Sequence, residues 1–308
     1  MGGPRRGGGV FRKPPLSSSE LIDLMIERGL EVADRDAAAR TLFLIGYYRL
    51  QPYSRGFEMP GTGHRYREGV SFEDLLDRYT FDRRLRLLVL DGLARIEVAY
   101  RSALSEVMSQ VDGDPHWYLR STLFGNASDH KILLGNVQQA VDQPHPALEE
   151  YLTRYRSPEL PPSWLMVEVL SLGQLSRVFR ALRKSAHKEA VAQSLGLTAA
   201  VLENWLESFV RVRNICAHHE RLWDATLPSH PMVPPEPVPW PRPWSSDQDR
   251  TLHAVAAAVA SLLHTVAPMD RWGERLVELV APRSEAEAMG FRAGWVTEWW
   301  SGPGAVTR

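Results

Sequence analysis

From Ser17 onward the chain places apolar residues at helical spacing, and this pattern predicts its elements before any other property is considered. Leu21, Leu24, Met25 and Leu30 recur behind a capping serine, Ser19, and the stretch closes near Gly29. A second short helix is predicted over residues 34–49, followed by a glycine-rich, basic loop from Gly56 to Gly69. The strongest signal runs from Ser71 to Gln110. There Leu85, Leu88, Val89, Gly92, Ile96, Ala99, Tyr100, Ala103, Leu104 and Val107 form an i, i+3, i+4 stripe, which predicts one long amphipathic helix. Asp82/Arg86, Asp91/Arg95 and Glu97/Arg101 flank it as i, i+4 pairs, an arrangement that usually only solvates a helix. Further helices are predicted at Asp129–Val141, Ser163–Leu182 and Thr198–Ala217. Strand-type alternation is nearly absent, so the fold class is all-α.

The pattern then breaks. Eight prolines fall between Pro228 and Pro243, which forbids helix and sheet and favours an extended chain. Beyond them an Ala-rich helix is expected at Leu252–Val266, a short one near Glu274–Val280, and a tail carrying Trp295, Trp299 and Trp300. The chain divides on this reading into a basic flexible arm (1–15), an N-terminal helical region (16–70), a helical domain (71–227), a Pro-rich linker (228–244) and a C-terminal helical extension (245–308). The tail tryptophans, and Tyr47, Tyr48, Trp164 and Trp223 with them, are expected to pack helices, the commoner use of large aromatics.

Composition narrows the function classes. The 308 residues carry 36 Lys and Arg against 37 Asp and Glu, an ordinary balance for a globular protein. One cysteine, Cys216, excludes an intrachain disulfide and a Cys-rich zinc site, and a reducing cytoplasm is the expected location. No apolar run is long enough for a membrane span, and no apolar core follows the basic N-terminus as an export signal requires. Phosphate-loop, dinucleotide-binding, H-E-x-x-H and G-x-S-x-G motifs are all missing, so no cofactor and no metal are expected. Of the basic residues 32 are Arg, whose planar fork suits phosphate, although genomic base composition explains the same bias.

One segment carries chemistry: Arg211-Val212-Arg213-Asn214-Ile215-Cys216-Ala217-His218-His219-Glu220-Arg221-Leu222-Trp223, at the end of a predicted helix. It sets a permanent cation beside a titratable imidazole. Metal-free RNA cleavage needs a base for the 2′-hydroxyl proton, an acid for the leaving 5′-oxygen and a cation for the phosphorane. His and Arg are the residue types for these tasks. The bare R-x4-H spacing is worth nothing, since 32 Arg and 10 His in 308 positions supply about one such pair by chance. Five residues on a straight helix also put the two side chains about 140° apart. Either the helix frays there or a second copy completes the site. The bland alternative leaves Arg213 in a surface pair, Cys216 in the core and His218 as a helix-terminal cation.

The longer string resembles the signature of the Abi family of bacterial abortive-infection proteins, in its AbiD/AbiF-like group, whose helical core belongs to the HEPN superfamily. Ile45-Gly46-Tyr47-Tyr48-Arg49-Leu50, Phe81-Asp82-Arg83-Arg84-Leu85-Arg86, Arg95 to Arg101 and Ser163 to Ser176 are similar to that family's other blocks, in order, over roughly residues 13–224. The resemblance implies a HEPN-type bundle, a metal-independent endoribonuclease working as a homodimer across a composite cleft, a partner noncoding RNA, and kinship with RNA-guided type VI CRISPR effectors. Carried over position by position, it makes Arg213, Asn214 and His218 the catalytic set, with Glu97 and Arg101 as a supporting pair. His219 also satisfies the motif spacing. The alternative is a catalytically silent RNA-binding HEPN protein, in which the motif only grips phosphate. Binding of RNA by either kind of protein is expected to draw on Arg5, Arg6, Arg12, Lys13, Arg65, Arg67 and Arg211.

If the segment cleaves RNA as its residue types imply, the reaction needs no divalent ion and leaves a 2′,3′-cyclic phosphate and a 5′-hydroxyl. End-group analysis of the products with and without EDTA checks this. Activity abolished by EDTA and restored by Mg²⁺, or cleavage of a strand with 2′-deoxyribose at the scissile position, would overturn it.

Overall fold

The computed structural model describes residues 14–297 apart from Pro228. Among the described residues there are helices and isolated bridges but no strand, as the apolar spacing predicts. Two compact units divide the chain at Phe81/Asp82. The expected RNA contacts Arg5, Arg6, Arg12 and Lys13, and the tail residues Trp299 and Trp300, lie outside the described residues.

In the first unit, α1 (Ser18–Glu27) packs on α2 (Arg35–Ile45), burying Ile22, Met25, Ala38 and Leu42. The cap is Ser17 and not Ser19. Its hydroxyl accepts from the Glu20 amide while Glu20 returns to the Ser17 amide, a capping box. The helix expected over 34–49 is two helices, because Gly46 takes φ +89° and ends α2, and α3 (Tyr47–Ser54) starts in a new direction. The glycine-rich loop is held from inside by Arg78, which is buried, donates to the Tyr53 carbonyl oxygen at 3.1 Å and lies 3.7 Å from the Phe57 ring centroid. A Cβ at Gly56 would fall 2.7 Å from that guanidinium.

The long helix is α4 (Phe72–Asp112), and its buried stripe organises the second unit. After it come α5 (Ala127–Val141), α6 (Pro146–Arg154), α7 (Ser163–Val169), α8 (Leu172–Ala181), α9 (Ser185–Ser194) and α10 (Ala199–Ala217). The pattern missed α6 and α9, both short. It also merged α7 and α8, which Ser171 separates by capping α8 with its hydroxyl on the Gln174 amide. Tyr100 on α4 donates to the Leu175 carbonyl oxygen at 2.9 Å, and α10 packs on α8 and α9.

The proline-rich stretch is laid along the first half of α10. Trp205 donates to the Met232 carbonyl oxygen at 2.9 Å, Asn204 accepts from the Met232 amide at 2.7 Å, and the Trp205 and Trp240 rings stand 5.9 Å apart. The extension beyond it, α11 (Leu252–Val266) and α12 (Trp272–Val280), closes on α4 through one small residue. A Cβ at Gly92 would stand 2.8 Å from both Trp272 Nε1 and Val259 Cγ1, so only glycine allows this approach, and Trp272 donates to the Leu88 carbonyl oxygen at 2.7 Å. Trp295 is buried with its ring 4.5 Å from Phe291, as expected of a packing tryptophan.

His253 sits inside this extension, where burial pushes its pKa down to about 4 against the hydrogen bond it donates to the Gly290 carbonyl oxygen. The neutral ring is therefore the folded form. Its contribution to stability is full above the ordinary histidine pKa of about 6.5 and is lost as pH falls towards 4, at a cost of about 3 kcal/mol. Urea unfolding of the wild type and His253→Phe at pH 7.5, 5.5 and 4.5 checks this. The wild type should lose stability over that range faster than the variant, and parallel curves would refute the assignment.

Candidate functional site

The Arg213 to His218 segment is the last turn of α10, and the helix does not fray within it. Regular geometry continues to Ala217, and His218 is the C-cap with its amide bonded to the Asn214 carbonyl oxygen at 2.9 Å. The terminus is a complete Schellman motif. The His219 amide donates to the Cys216 carbonyl oxygen at 3.2 Å and the Glu220 amide to that of Ile215 at 2.9 Å. The position after the cap requires the left-handed region, normally a glycine's place, yet His219 occupies it at φ +58°. A side chain with a Cβ is held there at a cost of order 1 kcal/mol.

What holds it is a buried ion pair. Asp82 is fully buried at 0% exposure and Arg86 nearly so at 5%. Asp82 Oδ1 accepts from the amides of Leu222 at 3.1 Å and Trp223 at 2.8 Å, while Oδ2 pairs with the Arg86 guanidinium. Arg86 in turn donates to the Glu220 carbonyl oxygen at 3.2 Å. Three consecutive features of the chain, the helix end, the left-handed histidine and the turn after it, are thus clamped to α4. Arg221 and Asp224 add a pair at 2.6 Å on the same turn. The reading of Asp82/Arg86 as a solvated helix pair is corrected, because the pair lies inside the apolar stripe and its charges are answered by backbone.

The side chains of the motif separate into two sets. Val212, Ile215 and Cys216 face the core, and burial pushes the Cys216 thiol up to about 12, against the opposing pull of nearby Arg86. It is an inert packing group. Arg211, Asn214, His218 and His219 face outward and Arg213 is half-buried. Among the described residues, Arg211, Arg213, Asn214 and His218 have no side-chain hydrogen bond or ion pair. Arg83 and Arg84, the two residues after Asp82, are also exposed cations without a described partner, and sequence spacing did not single them out. The site as it stands is a pinned helix end presenting one imidazole, a second on the strained residue, and the unspent guanidinium groups of Arg211 and Arg213.

Other expected residues lie elsewhere. Glu97 and Arg101 pair with each other, and Arg101 also donates to the Val167 carbonyl oxygen, so this pair secures α7. Eleven residues of α4 separate Glu97 from Arg86, a rise of about 16 Å along the helix. Neighbouring Val98, Ser102, Trp164 and Val167 line a groove of about 470 Å³. Trp164 is exposed there and Tyr48 is exposed in the first unit, against the expectation that both pack helices, whereas Trp223 is buried. Arg65 is exposed without a described partner, but Arg67 braces its own loop by donating to the Gly56 carbonyl oxygen. Among the described residues no group of three or more His, Cys, Asp or Glu could hold a metal ion, and no helix is long and apolar enough to cross a membrane.

A family model described as Abi-like protein matches residues 40–224, which takes in all of α4 to α10 and the clamped turn. No curated protein and no solved structure matches the chain.

Removing one member of a buried, hydrogen-bonded pair leaves the other charge uncompensated. Asp82→Ala is expected to cost roughly 3–5 kcal/mol, and Arg86→Ala a comparable amount, with the double variant well short of their sum. Equilibrium unfolding in urea measures all three, and a loss below about 1 kcal/mol for Asp82→Ala would show that the clamp is not structural.

Proposed function

Since the chain belongs to the Abi-like protein family, we propose that it acts in abortive infection as a HEPN-type endoribonuclease, with the end of α10 as its active site. The observation that carries this reading is the pinned helix terminus, on which Arg213, Asn214 and His218 are held in place by backbone and left unengaged by side chains. A surface pair or a buried cap would have spent them. An unspent cation and an unspent imidazole, each held on a rigid helix end, are the groups a reacting phosphodiester requires.

In this proposal His218 transfers the proton between the ribose 2′-hydroxyl and the leaving 5′-oxygen. Arg213 balances the charge gathering on the phosphorane, and Asn214 orients a phosphate oxygen. DNA lacks the internal nucleophile and is not a substrate. Because α10 stays helical to Ala217, Arg213 and His218 point about 140° apart. One chain therefore supplies either group to a scissile phosphate more readily than both. This favours a homodimer in which two helix ends face a common cleft. A partner noncoding RNA belongs to the same reading, as the resemblance to AbiF-like proteins implies. Arg211, exposed two residues before Arg213, extends the cationic surroundings along which the strand would run.

His218→Ala removes a proton carrier and no fixed charge, so cleavage of a labelled RNA should fall by about 10²- to 10⁴-fold with binding nearly intact, while Arg213→Ala should weaken both. Wild type mixed with excess His218→Ala chains should lose more activity than dilution accounts for. A fully active monomer by light scattering excludes the composite site. Full cleavage and cell toxicity in both single variants exclude the catalytic assignment, and RNA binding with no cleavage in the wild type leaves the silent binder.

A further inference from the structure

The first unit carries a surface that its own packing does not explain. Phe43, Leu44 and Tyr48 are 78%, 82% and 83% exposed, two near the end of α2 and one at the start of α3. Single exposed apolar residues are ordinary, but three large ones in six positions mark a surface built for contact. The geometry is fixed by Gly46, whose positive φ turns the chain so that α2 ends on Phe43 and Leu44 and α3 begins on Tyr47 and Tyr48. Tyr47 and Tyr48 meet edge to face, centroids 5.5 Å apart, and Arg28 donates to the Tyr47 hydroxyl at 3.5 Å. The rings are braced and not loose.

The charge around them selects the occupant. Residues 37–67 contain five arginines and one acid, Glu58, in a chain whose overall charge is −1. That one acid is taken up by Ser54 and by His64 at 2.8 Å. Arg40 stands three and four residues before Phe43 and Leu44 on α2. That spacing puts Arg40 on the same face of α2 as Phe43 and Leu44, while Arg55 caps the end of α3, the helix that begins with Tyr47 and Tyr48. Arg40, Arg55 and Arg65 are exposed and have no described partner. The apolar centre of a protein–protein interface is depleted in charge, whereas exposed rings interleaved with unpaired guanidinium groups are the arrangement that stacks bases and tracks a phosphate backbone.

We infer that Phe43 and Tyr48, flanked by Arg40 and Arg55, form a stacking platform for single-stranded RNA, separate in the chain from the α10 motif. The inference rests on the reading of this protein as one that acts on RNA, and it names where in the first unit the strand is gripped. Bases stack on the two rings, Leu44 covers a sugar or base edge, and the arginines meet the phosphates. Sequence preference is weak, because every base has a flat face.

The test uses the full chain with His218→Ala, so that the strand survives, and a fluorescein-labelled, unstructured 20-nucleotide RNA. Phe43→Ala and Tyr48→Ala should each weaken binding about 10-fold, Tyr48→Phe should restore it, and Arg40→Ala with Arg55→Ala should flatten the salt dependence. Photocrosslinking should place nucleotide mass on the tryptic peptide Thr41–Arg49. Wild-type affinity in the Phe43→Ala/Tyr48→Ala double variant, with unchanged thermal unfolding, overturns the platform while leaving RNA binding through α10 standing. A change from dimer to monomer in that double variant would make the patch an interface between copies and overturn the platform equally. No binding of the 20-mer before any of these substitutions overturns the platform and the RNA-acting reading together.

Discussion

The carboxylate of Asp82 is the point on which the second unit turns. It is buried completely, and a lone carboxylate in that position would cost several kcal/mol. Two backbone amides and the Arg86 guanidinium answer it, and these donors belong to the turn after α10 and to α4. Burying this charge goes with bringing residues 220–223 onto α4, where the Leu222 and Trp223 amides reach the carboxylate and Arg86 reaches the Glu220 carbonyl oxygen. The site's position is therefore set by an electrostatic requirement, and apolar packing alone would not specify it, because Leu222 and Trp223 could be buried in other registers.

The same clamp explains how a histidine is kept where glycine is normal. A Schellman end with a Cβ-bearing residue in the left-handed region is locally strained, and such strain persists only where the surroundings over-determine the backbone. Here the amides on the far side of His219 are fixed by Asp82 and the preceding carbonyl groups by α10 itself. The helix end is held by its backbone, by Asp82 and Arg86, and by the buried Val212, Ile215 and Cys216, without the side chains of Arg213, Asn214 and His218 being used to make it so. Among the described residues this leaves the side chains of Arg213, Asn214 and His218 without a hydrogen-bond or ion-pair partner.

The proline-rich stretch and the extension contribute to the same rigidity from the other direction. Trp205 and Asn204 tie the stretch to the first half of α10, and Gly92 lets Trp272 and Val259 close on α4. The two helices that carry the site, α4 and α10, are thus held along their length by segments outside the part matched by the family model. The aromatic series from Trp205 through Trp240, Trp244, His253 and Phe291 to Trp295 links these pieces by successive ring contacts.

Helical periodicity by itself determined the all-α class, the extent of α4 to within two residues at either end, and the position of α10, because a long apolar stripe leaves few alternatives. The candidate motif and the blocks resembling the Abi family are legible as strings in the sequence, independently of that periodicity. The breaks at Gly46 and Ser171 were legible only in part, since a glycine or serine within an apolar stripe does not announce a new axis. One signal was present and misread: Asp82 is in register with Leu85 and Val89, so its charge lies on the buried stripe and not on a flank. What only the tertiary structure decided was the answer to that charge, the burial of Cys216, the diversion of Glu97 and Arg101 to α7, and the exposure of Tyr48 and Trp164. Each depends on which backbone amides and carbonyl oxygens arrive from distant parts of the chain. A one-dimensional pattern records that a polar group is present but not which partner folding will bring to it.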